Sequence, residues 1–329
     1  MEEKTKPNVG LLPGSILLAS VIIGGAILLK DKKQESVVTE GVREVPVVLS
    51  ESEGDETLEI PLDDIGAKLV SVGALNKEAF LLLYSGIERE EARRLVETKG
   101  TVTLSKKNSG ILLNLLWGLG LSQKSAVLEK GKMQNPMYGG PGRFASTAGW
   151  SIAEGDPISP VRDRDGSERA SVSNGMNHYS HHLFMSLSPE QEVLVRRVAS
   201  GIYRPCCDNA TDFPDCNHGM AMLGLLELLA SKGASEEELY RSALIANRLW
   251  FSEQYAVVDR YVAGQGGGQA DARTLLGKTL ISASGFARVA QAVQTPSARQ
   301  EGSGGGCSVS SLLREARPTE QSFGQVSES

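Results

Sequence analysis

An all-α fold is what this 329-residue sequence predicts, and three observations carry the prediction. Apolar residues recur at helical spacing from residue 65 onward. Two segments open on a serine with glutamine or glutamate three residues later, the capping-box arrangement that starts a helix. One run, residues 111–121 (ILLNLLWGLGL), is apolar on nearly every face, as a central buried helix is. At 40% hydrophobic and 22% charged, the chain can bury one good core or two modest ones. A net charge of −6 without a long basic run argues against nucleic acid, whose phosphates are neutralised by lysine and arginine.

After a short flank (1–10), residues 11–29 read LLPGSILLASVIIGGAILL without a charge, close to the roughly 20 residues that span a bilayer. The run exceeds the apolar part of a cleaved signal peptide, about 7–15 residues. It is therefore read as an uncleaved anchor that ties the protein to a membrane. Lys4 and Lys6 flank one side and Lys30, Lys32 and Lys33 the other, so the positive-inside rule does not orient it. An anchor this close to the start usually exports the chain behind it, and the expectation is a single-pass protein with its C-terminal domain outside the cytoplasm. Residues 30–58 are rich in acidic residues and read as a solvated tether.

Residues 59–150 form an expected N-terminal helical layer: two short helices over 65–96, a turn or brief strand at 101–105, and the buried helix, capped by Asn108 or Ser109. The glycine-rich stretch 133–156 reads as an ordered loop and 157–175 as an exposed excursion. A Cys/His region (176–293) comes next. Ser188-Pro189-Glu190-Gln191 starts a helix to about Gly201. A strongly apolar helix over 220–230 ends at Gly233. Ser235-Glu236-Glu237-Glu238 starts another that ends near Trp250 and Phe251. Shorter helices fit 270–276 and 284–293, and the tail from 294, which holds Cys307, reads as disordered.

Residues 176–222 hold all four histidines, three of the four cysteines and four of the seven methionines. Thiolate, imidazole and thioether select zinc, copper(I) or another soft ion over magnesium and calcium. The segment runs Arg204-Pro205-Cys206-Cys207-Asp208 and then Cys216-Asn217-His218-Gly219-Met220-Ala221-Met222. Asp215 is placed to cap the 220–230 helix. That puts Cys216 in its first turn, where the helix dipole favours thiolate. The candidate ligands are Cys206 or Cys207, Cys216 and His218, with His178, His181 or His182 completing the site. Those last three share one face if their segment is helical. The expected cofactor is copper or zinc; Met176, Met185, Met220 and Met222 tilt toward copper(I) if they are ligands, though methionine at helical spacing is commonly core filler.

The layout of residues 205–251, a cysteine segment, a helix, Gly233-Ala234-Ser235 and a second helix ending in aromatics, resembles CcmH-type cytochrome c maturation thiol proteins and bacterial lipoproteins with a PCYCGC motif. Those families carry a CxxC or CxC-type motif where this chain has Cys206-Cys207 and Cys216-x-His218. The resemblance implies membrane-anchored thiol or metal handling on the outer face, with Cys206, Cys207 and Cys216 in the motif positions.

Two rival functions fit the same residues. One is a thiol-disulfide oxidoreductase in which Cys216 attacks and Cys206 or Cys207 resolves. The other is a non-catalytic anchored interaction domain with a structural zinc or disulfide; no feature names its protein partner. GxSxG, Walker and HExxH motifs are absent, and residues 264–269 (GQGGGQ) miss the dinucleotide fingerprint at its last glycine.

Overall fold

The computed structural model describes residues 56–162, 168–265 and 270–293. The expected anchor over 11–29, nearly all of the tether and the tail with Cys307 lie outside them. Among the described residues no helix is long and apolar enough to cross a membrane. Helix accounts for 61% of the described region and strand for 5%, so this part of the chain is all-α.

The described chain opens on strand β1 (Leu58–Ile60), which takes over the end of the expected tether. It pairs antiparallel with β2 (Val102–Leu104), Leu58 opposite Leu104 and Ile60 opposite Val102. Leu58, Ile60 and Leu104 are fully buried, which is why this end of an acidic segment is ordered. Between the strands run α1 (Ile65–Ser71), α2 (Lys77–Leu82) and α3 (Gly86–Glu97), three helices where the spacing predicts two. Gly73 turns the chain at φ +73° and Asn76 caps α2 by accepting from Ala79 N, which separates α1 from α2.

Helix α4 (Ser109–Ser122) buries every residue from Ile111 onward. The loop beyond it carries α5 (Ala126–Lys130), three short 3-10 turns and α6 (Ala145–Ala148), and its Trp150 packs edge-on against Trp117 of α4. Residues 157–175, read as an excursion, instead contain an antiparallel pair, β3 (Ile158–Arg162) and β4 (Glu168–Val172), with an irregular register. Backbone pairing of this kind needs no apolar alternation, so periodicity did not reveal it.

Both capping boxes form, at the starts of α7 (Pro189–Ala199) and α9 (Glu236–Trp250). Between them lies α8 (Asn217–Ser231), after which Gly233 takes φ +88° and its N–H bonds Ala230 O, the helix stop expected of it. The chain continues through α10 (Ser252–Gly264), α11 (Ala272–Leu275), α12 (Lys278–Ile281) and α13 (Ala283–Ala292). One large core draws on both expected layers, from Leu58 to Leu276, with α4 and α8 at its centre. A smaller core joins Phe251, Tyr255, Val258, Leu275, Ile281 and Val289. The cysteine loop between α7 and α8 lies where the two meet: Tyr203 N donates to Leu276 O (2.9 Å), and Asn247 Nδ2 to Tyr203 O (2.9 Å).

A carboxyl group sits inside α8. Glu227 is 1% exposed and its Oε2 has no hydrogen-bond partner among the described residues. Burial pushes its pKa from 4.5 up to about 8; Ser125 offsets this in part and Glu192 adds to it. At neutral pH the folded chain therefore keeps Glu227 protonated while the unfolded chain ionises it. The folded-state pKa is raised, so the group favours folding least at high pH: stability is lost as pH rises from about 4.5 through 8. Glu227→Gln removes this slope. Thermal melts should show the variant gaining on the wild type between pH 5 and pH 8, by on the order of 2–4 kcal/mol over the window. A difference that stays constant across that range would refute the assignment.

Candidate metal centre

The loop of residues 200–216 doubles back on itself. Thr211 N and Oγ1 both donate to Ile202 O, and Asp212 N donates to Ala199 O at the end of α7. Cys207 N reaches Arg204 O, closing a tight turn that holds the paired cysteines at its tip. Outside contacts pin the turn: Ala283 N donates to Cys207 O (3.0 Å), and Asp208 Oδ1 accepts from Ser284 N (2.8 Å) at the start of α13. Ser146 N, on α6, bonds Asp215 O (3.0 Å) and fixes the last residue before Cys216.

Arg204 fills the centre of the loop and is 1% exposed. Its guanidinium donates from Nε to Cys216 Sγ (3.0 Å), from Nη1 to Asn209 O (3.0 Å) and from Nη2 to Asp215 Oδ1 (2.8 Å). Asn209 Nδ2 holds the other Asp215 oxygen at 2.7 Å. This group approaches the backbone of α8 so closely that a Cβ on Gly219 would lie 2.4 Å from Nη2. A buried cation needs nearby negative charge, which here is the Asp215 carboxylate and the Cys216 sulfur.

The expectation that Asp215 caps α8 is corrected. The N-cap residue is Cys216, without a side-chain capping bond, because the Asp215 carboxylate is drawn to Arg204 and Asn209. The Cys216 thiol is nevertheless held well below its usual range. Hydrogen bonding from Cys206 and then Cys207 does most of this, with the Arg204 charge and His218 adding to it against the cost of burial. Cys206 is pushed up chiefly by its contacts with Cys207 and then Cys216. For Cys207, a contact with Cys206 acts downward but is outweighed by Cys216 and burial, and its thiol is raised. Of the two neighbouring thiols, Cys206 Sγ lies beside Cys216 Sγ (3.5 Å), whereas Cys207 Sγ lies 3.8 Å from Asn209 O and 3.6 Å from Asp215 Oδ1.

Cys206 Sγ lies 3.5 Å from Cys216 Sγ, and the two are not joined in a disulfide. Two thiolates on one zinc ion, each bonded at about 2.3 Å, stand roughly 3.8 Å apart. Cys206, Cys216 and His218 each offer one ligand atom, all within 4.8 Å of one another. The His218 ring packs on Phe251 (centroids 4.5 Å apart) and Trp250 (6.2 Å), and its Nδ1 is buried with no hydrogen-bond partner among the described residues. A buried imidazole nitrogen without a partner is costly unless an ion or proton takes it. These residues therefore fit a soft metal ion and could hold one.

A second group, Cys207, Asp215 and Cys216, also meets the distance requirement. It is the poorer site, because both Asp215 oxygens are already engaged by Arg204 and Asn209. Comparison of the chain with protein families, with curated proteins and with solved structures finds no match.

His178, His181 and His182 belong to neither group. Their segment is not α-helical, so the condition for a shared face is not met: a 3-10 turn ends at His178, and Ser180 takes φ +49°. His178 Nε2 lies 3.3 Å from Glu154 O, which makes that nitrogen the donor; Nδ1 then accepts from His182 Nε2 at 2.9 Å. Both rings have lowered pKa values, caused first by burial, and the two bonds engage both nitrogens of His178 and Nε2 of His182. Ser180 N and His182 N bond Leu121 O and Ser122 O at the C-terminal end of α4. His218, by contrast, touches Trp250, whose Nε1 bonds Ser109 O at the other end of that helix. Fourteen helical residues, about 20 Å, separate the two attachment points.

Met220 and Met222 are buried in the core and act as packing, and Met176 and Met185 are half-buried elsewhere. The residue that sequence reasoning missed is Arg204. An arginine before a proline carries no local sign that it will be buried.

Proposed function

We propose that this chain is a membrane-anchored protein that binds one soft transition-metal ion through Cys206, Cys216 and His218. The observation that carries the proposal is the convergence of two sulfurs and an imidazole nitrogen within 4.8 Å, with Cys216 buried and His218 Nδ1 unpartnered among the described residues. Copper(I) suits the set better than zinc. Three soft or borderline donors complete a trigonal copper(I) ion, whereas a closed structural zinc site takes four. The nearest further thiol, Cys207, is turned to Asn209 O (3.8 Å) and Asp215 Oδ1 (3.6 Å). With Cys206 on the exposed side of the loop, a bound ion would be reachable for transfer, which favours metal handling over a purely structural role. The membrane part of the proposal is supported by the uncharged run at 11–29 and by the likeness of residues 205–251 to anchored thiol proteins.

The test is elemental analysis of the full-length chain, purified in mild detergent and reductant without chelator and then offered copper(I) or zinc. Near-stoichiometric metal is expected, falling at least tenfold in Cys216→Ala and His218→Ala and unchanged in His181→Ala. A wild-type chain that retains no metal, or one whose metal content survives Cys216→Ala, would overturn the proposal.

A further inference from the structure

We infer that the same cluster is gated by thiol oxidation: a small-molecule disulfide reacts at Cys206, Cys216 then closes an internal Cys206–Cys216 disulfide, and the metal ion is released. The inference rests on the proposed metal site, since it describes how that site would be emptied.

Two features of the geometry carry it. The first is the separation of 3.5 Å between Cys206 Sγ and Cys216 Sγ. A disulfide needs about 2.05 Å, so closure requires a movement of roughly 1.5 Å. Cys206 stands at the tip of a turn, so a shift of this size stays local to the loop. The second is the contrast in access: Cys206 is exposed while Cys216 is 6% exposed at the head of α8. A soluble disulfide can therefore reach Cys206 and is kept from Cys216, whereas Cys216 can reach Cys206 from inside. This order reverses the one expected from the sequence, in which Cys216 attacks first.

The chemistry balances as two exchanges. The Cys206 sulfur, leaving the metal as thiolate, attacks one sulfur of RSSR; a mixed disulfide forms and RS⁻ departs. The Cys216 thiolate then attacks the Cys206 sulfur, forming the internal bond and expelling a second RS⁻. Two protein thiolates are oxidised by two electrons, the small disulfide is reduced to two thiolates, and the metal leaves with its charge unchanged. Two of three ligands are consumed, and His218 alone does not hold the ion. Arg204 loses only its Nε bond and keeps those to Asp215 and Asn209, so the loop retains its frame.

Zinc-loaded full-length chain carrying Cys307→Ser would be treated with oxidised glutathione, with zinc release followed by a chromogenic chelator and disulfides mapped by mass spectrometry. Zinc is the probe because it has no redox chemistry of its own. The expected result is one zinc released per Cys206–Cys216 disulfide, reversed by dithiothreitol and added zinc, with brief exposure trapping glutathione on Cys206 and none on Cys216. Glutathione on Cys216, a disulfide that maps to Cys207, or zinc retained once Cys206 and Cys216 are joined would overturn the gating and leave the metal site standing. A chain that forms the disulfide but never binds zinc or copper would remove the metal site, and the gating with it.

Discussion

Gly224→Val should yield no folded protein, and Gly120→Ala should lower stability by about 3 kcal/mol, near the upper end of what overpacking a core costs. These glycines face one another where α4 and α8 cross. A Cβ on Gly120 would lie 2.0 Å from Met220 O and 3.0 Å from Gly224 N; one on Gly224 would lie 2.6 Å from Leu116 O and 2.7 Å from Gly120 N. Every atom met is backbone of a buried helix, so no side chain can swing away. The only relief is to move the helices apart, which opens gaps along two elements that are buried over most of their length. Gly110 lies in the first turn of α4 with nothing within 4 Å of an added Cβ. Gly110→Ala should therefore be neutral, or stabilising by about 0.5–1 kcal/mol through helix propensity. Urea or thermal denaturation of the two alanine variants within α4 provides the check, and equal losses at residues 110 and 120 would refute the crossing as the cause.

The second large effect is expected at Arg204. Arg204→Met keeps much of the apolar stem but leaves the Asp215 carboxylate and the Cys216 sulfur without their cation. Removing one partner of a buried charge pair costs about 3–5 kcal/mol. The change should also raise the Cys216 pKa, because the Arg204 charge is one of the influences that hold it down. Two measurements separate this from a general loss of packing. The thiolate ultraviolet absorbance should titrate at higher pH than in the wild type, and Arg204→Met with Asp215→Asn should recover part of the lost stability by removing the stranded carboxylate. An unshifted thiolate titration, or a double variant no more stable than Arg204→Met alone, would sink the assignment of Arg204 as the residue that positions and charges the site.

The parts of the molecule legible in the sequence are those governed by neighbours along the chain. Ser188 with Gln191 and Ser235 with Glu238 start helices wherever they sit, because each box satisfies N–H groups within four residues of itself. Gly233 stops α8 for an equally local reason, its tolerance of positive φ. The apolar run that became α4 had no polar face to offer water, so its burial followed from composition. The candidate metal cluster was legible on the same terms: Cys216 and His218 are two residues apart, and Cys206 belongs to the loop that leads to them.

Tertiary structure decided what depends on distant partners. The imidazoles at 178–182 match the chemistry of a metal site as well as His218 does. They lie at the far end of α4 from His218, where His178 bonds Glu154 O and His182, and they join neither cysteine group. Asp215 looks like a helix cap in the sequence and became the counter-charge of a guanidinium eleven residues away. Arg204 became the centre of the loop, and Gly120 and Gly224 became the contact between the two central helices, through approaches set by residues up to about a hundred positions away. The sequence by itself determined where the capped helices α7 and α9 start, where α8 stops and that the α4 run is buried, though not α5, α6, α10 or α12, and that soft side chains gather near the start of α8. Only the packed structure determined which ligands meet, since burial and charge pairing are properties of neighbours in space.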